Sequence, residues 1–73
     1  MAATEILSEV IGSVWKIEKA QGDSVAEGEL IMILESMKME IPVDAPKAGK
    51  VTKILVSKDD VVSENQVVAI MEA

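Results

Sequence analysis

The segment Gly12–Ile17, GSVWKI, returns 37 positions later as Gly49–Ile54, GKVTKI. The same offset gives nine identities over the 26 positions of Ile11–Ser36, without a gap. Apolar positions repeat together with the identities. Such periodicity is typical of folds built from like units that bury one face against each other. Because there are two copies, the sequence predicts a small domain with pseudo-twofold symmetry.

The composition indicates that both copies are made of β-strands. The chain of 73 residues has ten Val and eight Ile against four Leu, with one Trp and no Phe or Tyr. β-Branched side chains suit the pleated surface of a sheet better than a helix. We therefore expect a single all-β domain over residues 1–73, a flattened barrel or sandwich of two antiparallel sheets. Extending the register outward gives repeats at about 3–36 and 40–73, with a tip at 37–39.

Each half contains the same series of strand and turn patterns. Glycine opens the second strand of each half, where it suits a bend or a close backbone approach. Residues 30–34, LIMIL, are apolar throughout, so we expect cover on both faces of the sheet there. The predicted strands are residues 5–8, 12–19, a stub at 25, and 30–34, and their counterparts 41–44, 49–56, 61–62 and 67–71.

Charge and residue types exclude several classes of function. Thirteen acidic residues against seven lysines give a net charge of −6, which disfavours binding to nucleic acid. Without His, Cys, Arg or Tyr the chain lacks the usual bases, nucleophiles and zinc ligands, so we expect no catalytic and no metal site. No apolar run reaches the roughly 18 residues that a membrane span needs. We expect a soluble chain in the cytoplasm or another intracellular compartment.

The junction between the halves contains no residue type that favours a turn. Residues 35–40, ESMKME, have no Gly, Pro, Asn or Asp, yet the repeat requires one strand to end near Glu35 and the next to begin near Glu40. A two-residue hairpin needs positive φ angles, which cost about 1 kcal/mol or more per residue for Met and Lys. A turn made of unfavourable residues indicates a functional constraint.

The same string closely resembles the biotinyl-lysine motif of biotin carboxyl carrier domains, in the biotinyl/lipoyl attachment family. In that family the lysine of Met-Lys-Met is biotinylated at a hairpin tip. The spacing is similar as well, since 35 residues follow Lys38. The resemblance covers nearly the whole chain and implies the hammerhead-type barrel of that family. It departs at Ser8–Ile11, where the family often has proline, and at Ser36, where alanine is commonest and we expect the exchange to matter little.

The resemblance implies that Lys38 carries covalent biotin, attached by a biotin protein ligase through an activated biotinyl adenylate. The tethered biotin would then move a carboxyl group between a biotin carboxylase and a carboxyltransferase or decarboxylase. The carrier would perform no chemistry itself. Lipoyl members usually have Asp-Lys-Ala at this point, so lipoate is the less favoured cofactor. Recognition by the ligase would involve the motif residues Glu35, Ser36, Met37, Met39 and Glu40.

Two other classes of function stay open from the residues alone. A lipoyl carrier of a 2-oxo acid dehydrogenase-type complex would share the fold and differ at Met37 and Met39. A small enzyme or a plain interaction domain ranks third, because the chain lacks the usual catalytic side chains. For Glu35 and Glu40, electrostatic steering of a partner and simple solvation of strand ends are equally good explanations.

Overall fold

Residues 3–72 are described by the computed structural model, and they form two antiparallel four-stranded sheets. Sheet 1 has the strand order β1-β8-β6-β3, and sheet 2 has the order β5-β4-β2-β7. The predicted all-β class is therefore confirmed. No helix in this range is long and apolar enough to cross a membrane. The strands are β1 (Ala3–Leu7), β2 (Gly12–Ile17), β3 (Ser24–Val25), β4 (Leu30–Ser36), β5 (Met39–Asp44), β6 (Gly49–Ile54), β7 (Val61–Val62) and β8 (Val67–Glu72).

Each sheet is assembled from both halves of the chain. A shift of 37 residues converts sheet 1 into sheet 2: adding 37 takes β1 to β5 and β3 to β7, and subtracting 37 takes β8 to β4 and β6 to β2. Loop hydrogen bonds obey the same rule: Val14 N–H donates to Asp60 O at 2.8 Å, and Val51 N–H donates to Asp23 O at 2.8 Å. Neither half can complete a sheet alone, so the halves stabilise each other. Ala73, which the repeat pairs with Ser36, lies outside the described residues.

A bulge explains why residues 30–34 are apolar throughout. The pairing of β4 with β5 shifts between Leu30 and Met32, so the bulged Ile31 and its neighbour Met32 are both fully buried. Ile33 lies on the outer face and is partly exposed. The expectation of cover on both faces was wrong, because a bulge interrupts the alternation of side chains. The β-core consists mainly of Val, Ile, Leu and Met from both sheets.

The ends of the described chain lie together, far from the junction between the halves. Ala3 in β1 pairs with Glu72 in β8. β1 runs from Ala3 toward the loop of residues 8–11, whose last residue contacts the end of β4 through a hydrogen bond from Ser36. The strand ends at Ala3 and Glu72 are therefore at the opposite end of the molecule, which is about twice as long as it is wide, 35 × 17 × 17 Å.

One ion pair breaks the symmetry of the halves. Lys19 Nζ contacts Glu29 Oε2, and the hydrogen bond with Lys19 holds the pKa of Glu29 below its ordinary value. The bond with Glu29 in turn raises the pKa of Lys19. Glu29 also accepts a bond from Ala26 N–H at 2.8 Å, and its counterpart Gln66 accepts the equivalent bond at 2.9 Å. The second half therefore keeps the turn but not the ion pair.

Replacing Glu29 by Gln should remove the ion pair and retain the turn, as Gln66 does in the other half. Because the folded protein lowers the pKa of Glu29, the unfolded chain binds more protons between the two pKa values, and stability rises with pH there. We expect wild type to lose more stability than Glu29→Gln as acid protonates this carboxylate. Thermal unfolding between about pH 3 and pH 7 measures the difference. Parallel stability profiles for the two proteins would contradict this.

Candidate functional site

The junction is a tight hairpin whose two central residues adopt left-handed backbone. Ser36 at the end of β4 pairs with Met39 at the start of β5, which leaves Met37 and Lys38 to reverse the chain. Their φ angles are 53° and 65°, as a type I′ hairpin requires. The sequence assigned 37–39 to the tip, and this was one residue too long. Met39 belongs to β5 because its pairing with Ser36 continues the ladder to the turn.

The tip presents one amine between two exposed methionines. Lys38 is exposed, and the residues Met37 and Met39 are 92% and 62% exposed. Neither of the two ion pairs within residues 3–72 includes Lys38. A primary amine in this position is open to an acyl donor from several directions. Its apolar flanks offer contact area of the adaptable kind that methionine provides on binding surfaces.

Two carboxylates lie directly opposite each other one step below the tip. Glu35 in β4 pairs with Glu40 in β5, and both are exposed. Like charges at directly opposed positions destabilise a sheet. The hairpin therefore combines an unfavourable charge pair with an unfavourable turn. Two local costs at one place are expected where function constrains the residues.

The base of the hairpin rests on the start of β2. A Cβ atom at Gly12 would overlap the carbonyl oxygen of Glu35 and lie 3.3 Å from Cβ of Ser36. The hydroxyl of Ser36 donates a hydrogen bond to the carbonyl oxygen of Ile11 at 2.8 Å. The close approach predicted for a glycine at this position thus occurs at Gly12. The contribution of Ser36 was not predicted, since the sequence suggested that alanine would serve equally well.

One groove lies away from the tip, whereas a depression of about 130 Å³ is lined by Glu40 together with Leu30, Ile33 and Pro42. A groove of about 390 Å³ lies between β1 and β5, and none of residues 35–40 lines it. Among residues 3–72 no three acidic side chains are grouped closely enough to hold a metal ion. The acidic turns at Asp23 and Asp60 have a structural role, since their carboxylates accept backbone N–H bonds at 2.9 Å and 2.8 Å.

Fold and site together define a small β-domain that presents a single lysine on a rigid hairpin. The model of the family described as "Biotin-requiring enzyme", the biotin/lipoyl attachment domain, matches residues 2–71. The chain therefore belongs to the biotin/lipoyl attachment family.

Similar proteins include short attachment proteins and a domain of a large carboxylase. A Mycobacterium leprae homolog of biotinylated protein TB7.3 is 39% identical over 94% of this chain and 97% of its own length. The Bacillus subtilis biotin/lipoyl attachment protein is 39% identical over 81% of each chain. The crystal structure of Kluyveromyces lactis urea carboxylase matches with a TM-score of 0.93 and 40% identity, covering 99% of this chain and 6% of that enzyme.

Ile11 is the residue near the tip that the sequence interpretation missed. The residue is 67% exposed, although its backbone carbonyl is joined to the hairpin through Ser36. A signal was available, because the repeat pairs this large apolar residue with Ala48. Exposed apolar residues that occur in one copy alone are candidates for a function that the other copy lacks.

Met37→Asn should stabilise the protein, because Asn tolerates left-handed backbone and Met does not. We expect a gain of about 1 kcal/mol, or about 4–8 °C in Tm for a domain of this size. Thermal and urea unfolding measure it. Met39→Asn is the matched control, since Met39 has no positive φ and Asn is a poor strand residue. An equal gain at Met39, or none at Met37, would disprove strain in the turn.

Gly12→Ala should destabilise the protein by about 1–3 kcal/mol, because the added methyl group meets backbone atoms of Glu35 that cannot rotate away. We also expect faster amide exchange at residues 35–40, where the hairpin base would have to shift. Ser13→Ala, one residue along the same strand, is the control and should leave both measurements nearly unchanged. Wild-type stability in Gly12→Ala would show that the hairpin does not rest on β2.

Proposed function

We propose that this chain is a biotin carrier and that its cofactor is attached to Lys38. The observation that carries the proposal is the geometry of the hairpin, in which one exposed amine sits between Met37 and Met39 on strained backbone. Family membership and the similarity to a biotinylated protein support biotin as the cofactor. The carrier domain presents the group and leaves catalysis to its partners.

Attachment requires a partner, because almost every lysine amine is protonated at neutral pH and this chain has no histidine to act as a base. A biotin protein ligase would supply both the base and a biotinyl adenylate. The base of the ligase would first take one proton from the Lys38 ammonium group. The neutral nitrogen would then attack the acyl carbon, so that the amide C–N bond forms as the bond from that carbon to the phosphate oxygen breaks. AMP would leave, and the second proton on nitrogen would pass to solvent.

The residues around Lys38 contribute to recognition in different ways, according to their position in the hairpin. Met37 and Met39 supply exposed apolar area on the two sides of the amine. Glu35 and Glu40 place two negative charges below it, which favours a basic surface on the ligase. Ser36 fixes the base of the hairpin through its bond to Ile11. The backbone ladder keeps this arrangement in place, so the ligase need not order a loop.

Bound biotin would supply a ureido nitrogen that accepts and releases a carboxyl group. The partners in that transfer would be a biotin carboxylase and a carboxyltransferase or decarboxylase, in agreement with the similarity to urea carboxylase. Lys38 serves as the tether, which keeps the group at an effective concentration of up to about millimolar near each active site. A cytoplasmic or other intracellular location stays a prediction from the sequence.

Incubation with a biotin protein ligase, biotin, ATP and Mg²⁺ tests the attachment site. We expect the intact mass of wild type to rise by one biotinyl group, and peptide mapping to place that group on Lys38. Lys38→Arg should show no rise, because arginine keeps the charge but offers no acylable amine. Lys58→Arg is the matched control, since Lys58 is another exposed turn lysine, and it should be labelled as wild type is.

Two results would overturn this function. Biotinylation of Lys38→Arg would place the attachment site elsewhere. Lipoyl transfer to wild type by a lipoate ligase, at an efficiency comparable to that of biotin, would favour the lipoyl carrier instead.

A further inference from the structure

The loop between β1 and β2, residues 8–11, is held firmly on both sides of its exposed isoleucine. Ser8 is fully buried; its N–H donates to Gln66 O at 2.8 Å, and its carbonyl accepts from Asn65 N–H at 2.7 Å. Val10 packs against the core. The carbonyl of Ile11 accepts the hydroxyl of Ser36. A loop fixed in this way has little freedom to turn the side chain of Ile11 away from solvent.

The position of Ile11 places an apolar side chain beside the hairpin. The bond from Ser36 joins the backbone of Ile11 to the residue that precedes Met37, and Gly12 follows in contact with Glu35 and Ser36. Ile11 is 67% exposed, which is comparable to Met39 at 62%. Three large exposed apolar residues, Ile11, Met37 and Met39, therefore belong to the end of the molecule that carries Lys38.

The internal repeat provides a comparison for this end of the molecule. The pseudo-twofold repeat pairs Ile11 with Ala48. It also pairs Val61, which is 75% exposed, with Ser24. Val61 pairs with Ser13, which also pairs with Glu35, so it is in the same row of sheet 2 as the base of the hairpin. On the same scaffold, the end that carries the lysine has large apolar residues where the opposite end has small ones.

We propose that Ile11 is a recognition residue for the biotin protein ligase and forms, with Met37 and Met39, one apolar contact surface around Lys38. The occupant is the ligase because Ile11 is bonded to the hairpin that carries Lys38, and the amine of Lys38 must enter the active site of the ligase. Ser36 and Gly12 act as positioning residues, since they hold Ile11 against the hairpin. This inference rests on the proposed attachment of biotin to Lys38.

Steady-state labelling by the ligase at varied concentrations of the carrier tests the inference. We expect Ile11→Ala to raise KM for the carrier about fivefold, the effect of losing one partly buried aliphatic contact. The kcat should stay at the wild-type value, because the contact is made equally before and during acyl transfer. The thermal midpoint should also be unchanged, since the side chain is mostly exposed. If Ile11 had a purely structural role, Ile11→Ala would instead lower the thermal midpoint and leave KM unchanged.

Four further variants separate recognition from general surface effects. Ser36→Ala should raise KM in the same way but less, and Ser36→Thr, which keeps the hydroxyl, should restore it. Ala48→Ile places the same side chain at the equivalent position of the opposite end and should leave KM unchanged. Leu55→Ala removes a leucine that is 49% exposed beyond β6 and should also leave KM unchanged.

The outcomes distinguish this inference from the proposed function. Absence of label on Lys38 in wild type would contradict both the proposed function and this inference. Normal labelling of wild type with an unaltered KM in Ile11→Ala would overturn the inference and leave the carrier function in place. An equal rise in KM for Leu55→Ala would also overturn it, because the effect would then be one of general surface hydrophobicity.

Discussion

The chain must reverse direction within two residues between β4 and β5, and the rest of the structure depends on this reversal. β4 closes the first half and β5 opens the second, and the two are hydrogen-bonded neighbours in sheet 2. A longer loop would release the register that pairs Ser36 with Met39. A different register would move side chains to the opposite face of the sheet, and Leu34 and Val43 would leave the core.

The repeat shows what this turn would contain if folding alone selected its residues. Two other turns in each half need positive φ, and the residues there suit that backbone: Gly22 and Gly28 in the first half, Asp59 and Asn65 in the second. These residue types visit left-handed backbone at little cost. Among the described residues with positive φ, Met37 and Lys38 are the two whose types do not suit it. The residues that do not suit their backbone conformation thus include the lysine itself, as expected where function determines the residue types.

Much of the fold could be predicted from the sequence because duplication adds information that propensity lacks. The repeat placed a strand boundary at Glu35–Glu40 where no turn residue is present, and the structure has a hairpin there. The cover predicted for residues 30–34 was wrong because a bulge at Ile31 cannot be distinguished from a strand buried on both faces by apolar content alone.

The part of the site that could not be predicted involves contacts between segments that are distant in the chain. The bond from Ser36 to Ile11 joins residues 25 positions apart. A motif that is read along the chain contains the hairpin and omits the loop beside it. For that reason Lys38 and its flanks could be proposed from the sequence, whereas the contact of Ile11 with the hairpin required the structure, in which the fold brings the two segments together.

A rigid turn of unfavourable residues is the less costly solution for a carrier whose proposed role is to bind more than one partner. Left-handed backbone at Met37 and Lys38 costs about 1–2 kcal/mol per residue, and this cost is met once, when the protein folds. A flexible loop would avoid it. Each partner would then have to order that loop, at about 1–2 kcal/mol for every residue fixed, and a loop of several residues would lose more at each binding event than the strained turn loses in folding. With the backbone held by the pairs Glu35–Glu40 and Ser36–Met39, conformational freedom at the tip is left to the rotatable bonds of the Lys38 side chain, the proposed tether.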